Sequence, residues 1–229
     1  MLSEHDIRRG LAEVNERIVA AARRSSRDPA AICLVLASKT QHPDAILAAY
    51  RAGARHFGEN YVQEAMAKRA RLHDLADVRW HLIGHLQSNK ARPAASMFDL
   101  IHSLDSMRLA RALHKAHPIP PTRVLLEVNL AAETSKRGVP PRDAERLIAE
   151  VRDQVEVAGL MAIPPPAPSA ERCRPYFSRL REMRDTLAAR SGLHLGELSM
   201  GMTDDFEVAI EEGATIVRVG RAVFGERPA

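Results

Sequence analysis

Ile32-Cys33-Leu34-Val35-Leu36-Ala37-Ser38-Lys39 is a short apolar run that ends in a lysine. Its length and residue types read as a buried β-strand. The chain has five lysines (Lys39, Lys68, Lys90, Lys115 and Lys136) against twenty-eight arginines. Arginine therefore supplies most of the positive charge, and a lysine closing a buried strand needs a reason. A primary amine can lose its proton and attack a carbonyl, which a guanidinium cannot do. Apolar surroundings lower the amine pKa toward neutrality. Two readings of Lys39 stand at this point: a Schiff-base lysine, or a strand-end lysine that snorkels to solvent.

Outward from this run the pattern alternates. Strand-like segments fall at 32–38, 56–58, 79–83, 100–103, 123–130, 155–163, 197–200 and 215–219. Helix-like segments lie between them at 42–52, 61–72, 86–97, 106–116, 141–152, 170–190 and 205–212. A leading helix over 3–24 shows Ile7, Leu11, Val14 and Ile18 at helical spacing, with Ser3 as N-cap. Strict alternation implies a parallel sheet covered by helices. Eight units imply an α/β fold of one domain spanning 1–229, a single (β/α)8 TIM barrel with an extra N-terminal helix. An open doubly wound sheet is the competing architecture, but no Gly-rich turn follows Lys39.

Composition narrows the function classes. The hydrophobic share of 45%, the charged share of 27% and the formal net charge of +4 are those of an ordinary globular protein. No basic run is interleaved with aromatics, so a nucleic-acid partner is not expected. Cys33 and Cys173 form no disulfide framework and no metal-type spacing. No apolar stretch is long enough for a membrane span, and the charged N-terminus does not read as a secretory signal. A cytoplasmic location is expected.

In a (β/α)8 barrel the chemistry gathers at the C-terminal ends of the strands. Lys39 ends strand 1 and Glu59 and Asn60 follow strand 2. His81 lies in strand 3, with His85 just beyond, and Asp105 follows strand 4. Asn129 ends strand 5, with Lys136 in the loop after it. Ser199, Met200 and Gly201 end strand 7; Arg218, Gly220 and Arg221 end strand 8. Glu59 orients a neighbour or caps the next helix, and Thr203 or Asp204 caps the helix after strand 7. The glycines at 201 and 220 let backbone approach a ligand, and the loops after strands 7 and 8 are where such barrels bind phosphate. Tight helix–strand packing explains the same glycines. Pro164-Pro165-Pro166-Ala167-Pro168 is a stiff connector or one wall of a site. His81 and His85 lack a carboxylate partner set, so no metal is expected.

Longer motifs sharpen the picture. Ala37-Ser38-Lys39-Thr40, the stretch Phe57 to Glu64, the stretch Trp80 to Lys90, Val128-Asn129-Leu130, Ser135-Lys136-Arg137-Gly138 and the run from Leu198 to Gly225 resemble the YggS/PROSC family of pyridoxal phosphate homeostasis proteins. The resemblance covers nearly the whole chain. It implies a barrel similar to the N-terminal domain of alanine racemase, with pyridoxal 5′-phosphate (PLP) as cofactor and Lys39 as its Schiff-base lysine. It implies that Ser199, Gly201, Gly220 and Arg221 hold the phosphate, that Arg218 faces the pyridine nitrogen, and that Asn60, His81 and Met200 line the pocket. Lys136 reads as a rim lysine or as a second point of PLP capture.

A permanent cation at the pyridine nitrogen disfavours its protonation and weakens the ring as an electron sink. Relatives of this fold type that act on amino acids carry a C-terminal β domain that supplies a tyrosine base. The chain ends at Ala229, and Tyr50, Tyr61 and Tyr176 do not belong to such a domain. The expectation is a monomeric, non-enzymatic protein that buffers PLP and delivers it to apo forms of PLP-dependent enzymes. The alternative is a weak PLP-dependent amino-acid racemase.

Overall fold

Residues 2–117, 119–131 and 137–226 are described by a computed structural model; Ser135 and Lys136, singled out above, lie outside them. Strands β1 (Cys33–Ala37), β2 (His56–Glu59), β3 (Arg79–Leu82), β4 (Leu100–Leu104), β5 (Arg123–Glu127), β6 (Glu156–Met161), β7 (Glu197–Ser199) and β8 (Ile216–Val219) run in chain order around a closed parallel barrel. Closure is made by β1 and β8, with Cys33 opposite Ile216, Val35 opposite Arg218 and Leu36 opposite Val219.

The period-2 alternation of each strand decides what faces inward. Val35, Leu100, Leu125, Ala158, Met161 and Ile216 form a small apolar cluster inside the barrel. Their neighbours Leu36, Ile101, Val124, Val157 and Val217 point outward into the larger core beneath the helices. Trp80 lies in that outer core, its ring centroid 6.1 Å from that of Phe57.

The helices are α1 (Glu4–Arg24), α2 (Pro43–Arg51), α3 (Val62–Arg71), α4 (Ala91–Met97), α5 (Met107–Ala116), α6 (Ala144–Val151), α7 (Arg174–Ser191), α8 (Phe206–Glu211) and α9 (Arg221–Phe224). The leading helix α1 starts as its sequence predicts. Ser3 Oγ accepts from the Asp6 N–H at 3.1 Å, and Asp6 reaches back to the Ser3 N–H, a reciprocal cap. The helix expected over 86–97 begins only at Ala91, after a 3-10 turn at Ser88–Lys90. Pro93 accounts for the late start, because proline fits the first helical turn and not the interior. The four-residue α9 was not expected.

α1 packs against α2, α8 and α9. Ion pairs from Arg17 to Glu207 and from Arg24 to Glu211, both at 2.8 Å, tie it to α8. Gly10 sits in the middle of α1, where glycine costs about 1 kcal/mol relative to alanine. The crossing with α9 requires it: a Cβ there would lie 2.6 Å from the Ala222 carbonyl oxygen and 3.2 Å from Val223 Cα. Both are backbone atoms with little freedom to yield. Gly10→Ala should therefore lower stability in urea unfolding by about 1–3 kcal/mol, despite its better helix propensity.

Candidate functional site

The turn after β1 is held from below by a buried ionic cluster. Lys68 Nζ, on α3, lies 2.8 and 3.0 Å from the two Glu59 carboxylate oxygens, 2.7 Å from the Ser38 carbonyl and 2.6 Å from Glu64 Oε1. The Ser38 hydroxyl donates to Glu59 Oε1 at 2.6 Å, and the Thr40 N–H donates to Glu64 Oε1 at 2.5 Å. The Gln41 N–H donates to the Ser38 carbonyl, closing a turn with Lys39 and Thr40 at its centre. Thr40 takes a φ of 66°, a strained value for a β-branched residue. Surrounding contacts must pay for that strain, and the Glu64 carboxylate supplies one of them. Burial raises the Glu59 pKa, while Lys68 and Ser38 pull it back. Glu59 is thus a turn-positioning residue, and it does not cap α3, which begins at Val62 after Tyr61 without a side-chain cap.

Closure of β1 on β8 sets this turn beside the end of β8. Lys39, Asn60, Arg218, Gly220 and Arg221 line one cavity of about 440 Å³ at the C-terminal ends of the strands. Ile163, Thr203 and Asp204 complete its wall on the β6 and β7 side. Gly220 lets the end of β8 lie close against β1, since a Cβ there would lie 3.1 Å from the Ala37 carbonyl oxygen. Arg221 is ion-paired with Asp204 and lies 3.6 Å from Glu226.

The other four expected residues do not line this cavity. Met200 points outward into the core under the helices, as the alternation of β7 demands. Gly201 turns the chain against Phe206 and Ala209. Asp205 opens α8, accepting from the Met202 N–H at 2.6 Å, so neither Thr203 nor Asp204 is its cap. Ser199 and His81 face the barrel interior and join a polar column there. Arg218 donates to Ser199 Oγ at 2.5 Å and to the Ala162 carbonyl at 3.1 Å. Ser199 Oγ lies 2.8 Å from His102 Nδ1; His102 Nε2 lies 3.0 Å from His81 Nδ1; His81 Nε2 lies 2.9 Å from His56 Nδ1. His85, by contrast, lies in a separate cavity, 3.5 Å from Asp105.

Desolvation keeps the histidines of this column neutral. It lowers the His81 pKa to about 3 and holds His102 well below the usual imidazole value; His56 is lowered too. Desolvation also brings Arg218 down to about 10, against the favourable fields of Asp205 and Glu127, so it remains a cation at neutral pH. Glu127, at the end of β5, is pushed up to about 7 by burial and by Asp105. Cys33, at the start of β1, is pushed up to about 12 by burial and by Glu197.

Sequence reasoning missed Lys68 and His102. Lys68 reads as one more charge on a helix, and His102 gains meaning only beside strands 3 and 7. The one available signal was a polar residue at an inward position of a buried strand.

Comparisons with known proteins extend these observations. The family described as alanine racemase, N-terminal domain, matches residues 11–228. The pyridoxal phosphate homeostasis protein of Pseudomonas aeruginosa is 46% identical over 227 residues, covering 96% of each chain. Its counterpart in Escherichia coli K12 is 42% identical over 234 residues, covering 97% of each. PipY of Synechococcus elongatus, solved with PLP bound, superposes with a TM-score of 0.81 at 41% identity, over 93% of this chain and all of that one (100%). Alanine racemase of Corynebacterium glutamicum superposes with a TM-score of 0.68 at 16% identity, over 99% of this chain and 62% of that one, a likeness of fold.

Two measurements probe the electrostatics. Lys68→Met strands the buried Glu59 carboxylate and should cost roughly 3–5 kcal/mol in urea unfolding. Glu59→Gln together with Lys68→Met should cost less than the sum of the single changes. The folded chain keeps the Glu127 proton up to about pH 7, whereas the unfolded chain loses it near 4.5. Stability from this group therefore falls as pH rises through that window. Glu127→Gln removes the slope. Relative to the parent, it should gain stability between pH 4.5 and pH 7, on the order of 3 kcal/mol when the window is complete.

Proposed function

The chain belongs to the pyridoxal phosphate homeostasis protein family, and we propose that it holds PLP in the Lys39 cavity and buffers or delivers it without turning over an amino acid. The observation that carries this reading is that one cavity collects the strand-end amine of Lys39 and the buried cation of Arg218. PLP supplies an aldehyde that condenses with a primary amine, and a pyridine ring that withdraws electrons.

The residues present fit that group. Lys39 offers the amine on a turn fixed by Glu64 and the Ser38 carbonyl. Gly220 keeps the wall beside it free of a side chain, and Gly220 and Arg221 would meet a phosphate through their backbone N–H groups, the Arg221 guanidinium being engaged by Asp204. Arg218 has only donors to present, so it would keep a proton off a facing ring nitrogen. Ser199 would act through Arg218 rather than on the ligand, since its hydroxyl is engaged by that guanidinium and by His102. Gly201 would shape the turn that brings Thr203 and Asp204 to the cavity wall.

The case against turnover rests on proton transfer. Racemisation needs a proton acceptor on each face of the substrate. Lys39 can serve one face. Among the described lining residues there is no tyrosine or histidine for the other, and Asp204 and Glu226 both face Arg221. The same reading has the chain acting as one domain over 1–229, as a cytoplasmic monomer, with apo PLP-dependent enzymes as recipients. Among the described residues no helix is long and apolar enough to cross a membrane.

The test is a transfer assay. The PLP-loaded protein should reactivate an apo PLP-dependent enzyme and should form no steady product from L- or D-amino acids. Lys39→Ala should fold but lose the visible absorption of bound PLP. Sustained racemisation by the parent protein, abolished in Lys39→Ala, would contradict the proposal and establish an enzyme.

A further inference from the structure

The barrel has a second mouth, at the N-terminal ends of the strands, with chemistry of its own. Cys33 opens β1, His56 opens β2, and His81 lies on β3 opposite Gly58. Period-2 alternation turns all three inward. They line a cavity of about 360 Å³ with Arg79, Asp99, Arg123 and Glu197 at its rim. Cys33 Sγ and one nitrogen each from His56 and His81 all lie within 4.8 Å of one another. His56 Nδ1 and His81 Nε2 face each other at 2.9 Å.

We propose that Cys33 Sγ, His56 Nδ1 and His81 Nε2 form a binding site for a borderline-soft divalent cation of the zinc type. The donor set is one thiolate and two imidazoles, which selects such a metal over hard oxygen-seeking ions. A tetrahedral ion with bonds of about 2.0–2.3 Å places its ligand atoms about 3.3–3.8 Å apart. To reach that spacing the two nitrogens, now 2.9 Å apart, must open slightly, and the sulfur already lies within 4.8 Å of a nitrogen of each ring. The fourth position opens to the cavity and takes water.

The surroundings already supply what such a site needs. His81 Nδ1 is paired with His102 Nε2, so a hydrogen-bond partner fixes the ring with Nε2 toward the metal. His102 in turn can donate from Nδ1 to Ser199 Oγ, whose two lone pairs accept from His102 and Arg218. The rim arginines do not oppose the cation as free charges. Arg79 pairs with Asp99 at 3.0 Å, and Arg123 pairs with Glu156 at 3.0 Å and Glu197 at 3.3 Å. Cys33 and His56 are only partly buried, which leaves an entry path.

The proton balance is defined. The single proton between His56 Nδ1 and His81 Nε2 gives way to the metal. The two imidazoles stay neutral, with their protons on His56 Nε2 and His81 Nδ1. The Cys33 thiol loses its proton to solvent as the sulfur–metal bond forms, so one proton leaves per ion bound.

The test uses the metal-free full chain titrated with Co2+. The proposal expects one ion per chain, four-coordinate visible bands, a near-ultraviolet thiolate-to-cobalt band, and displacement by Zn2+. Cys33→Ser should abolish the thiolate band and Cys173→Ser should leave it intact. His56→Gln, which removes a direct ligand, should weaken binding by more than the roughly tenfold that loss of an outer-shell partner costs. Circular dichroism of each variant separates lost ligation from lost fold. PLP binding at the opposite mouth should persist in Cys33→Ser. Absence of the thiolate band in the parent, or its survival in folded Cys33→Ser, would overturn the site.

Discussion

Hydrogen bonds between the first and the last strand turn a sheet into a barrel, and the arrangement at both mouths follows from that closure. The register that sets Val35 against Arg218 brings together residues far apart in the chain. At the C-terminal mouth it places the Lys39 turn beside Gly220 and Arg221. At the N-terminal mouth it places Cys33 among residues from β2, β3, β7 and β8. An open sheet of the same strands would leave Lys39 at one edge and Arg218 at the other.

The barrel interior is costly to build and correspondingly specific. A buried guanidinium carries a desolvation penalty of several kcal/mol that only well-placed partners offset. Arg218 meets it with Ser199, the Ala162 carbonyl and the fields of Glu127 and Asp205. Ser199 then needs His102, and His102 needs His81, so the polar column continues toward the other mouth. The apolar interior cluster of Val35, Leu125 and Ile216 surrounds this column, and desolvation keeps its histidines neutral. The Glu59–Lys68 pair plays the matching part outside the barrel, trading desolvation for a fixed turn under Lys39.

The legible parts of this molecule were those written in local periodicity. Alternating strands and helices gave eight units, and the spacing of Ile7, Leu11, Val14 and Ile18 with Ser3 in front gave α1 almost to the residue. Lys39, Asn60, Arg218, Gly220 and Arg221 could be placed at one mouth because strand ends define it. Ser199, Met200 and His81 were less legible, because their roles depend on which way each side chain points. One residue of alternation separates a cavity wall from the outer core, as Met200 illustrates. Lys68 and the Cys33–His56–His81 group were hidden for another reason. Their partners lie on separate elements, and no spacing in one segment announces them.

Everything proposed for the C-terminal mouth turns on whether Lys39 is the amine that binds PLP. Borohydride reduction of the PLP-loaded protein, followed by peptide mass mapping, tests it most directly. One pyridoxyl group per chain, fixed on the Lys39 side chain, is the expected result. Fixation on Lys136, Lys68 or another lysine, with Lys39 unmodified, would contradict it.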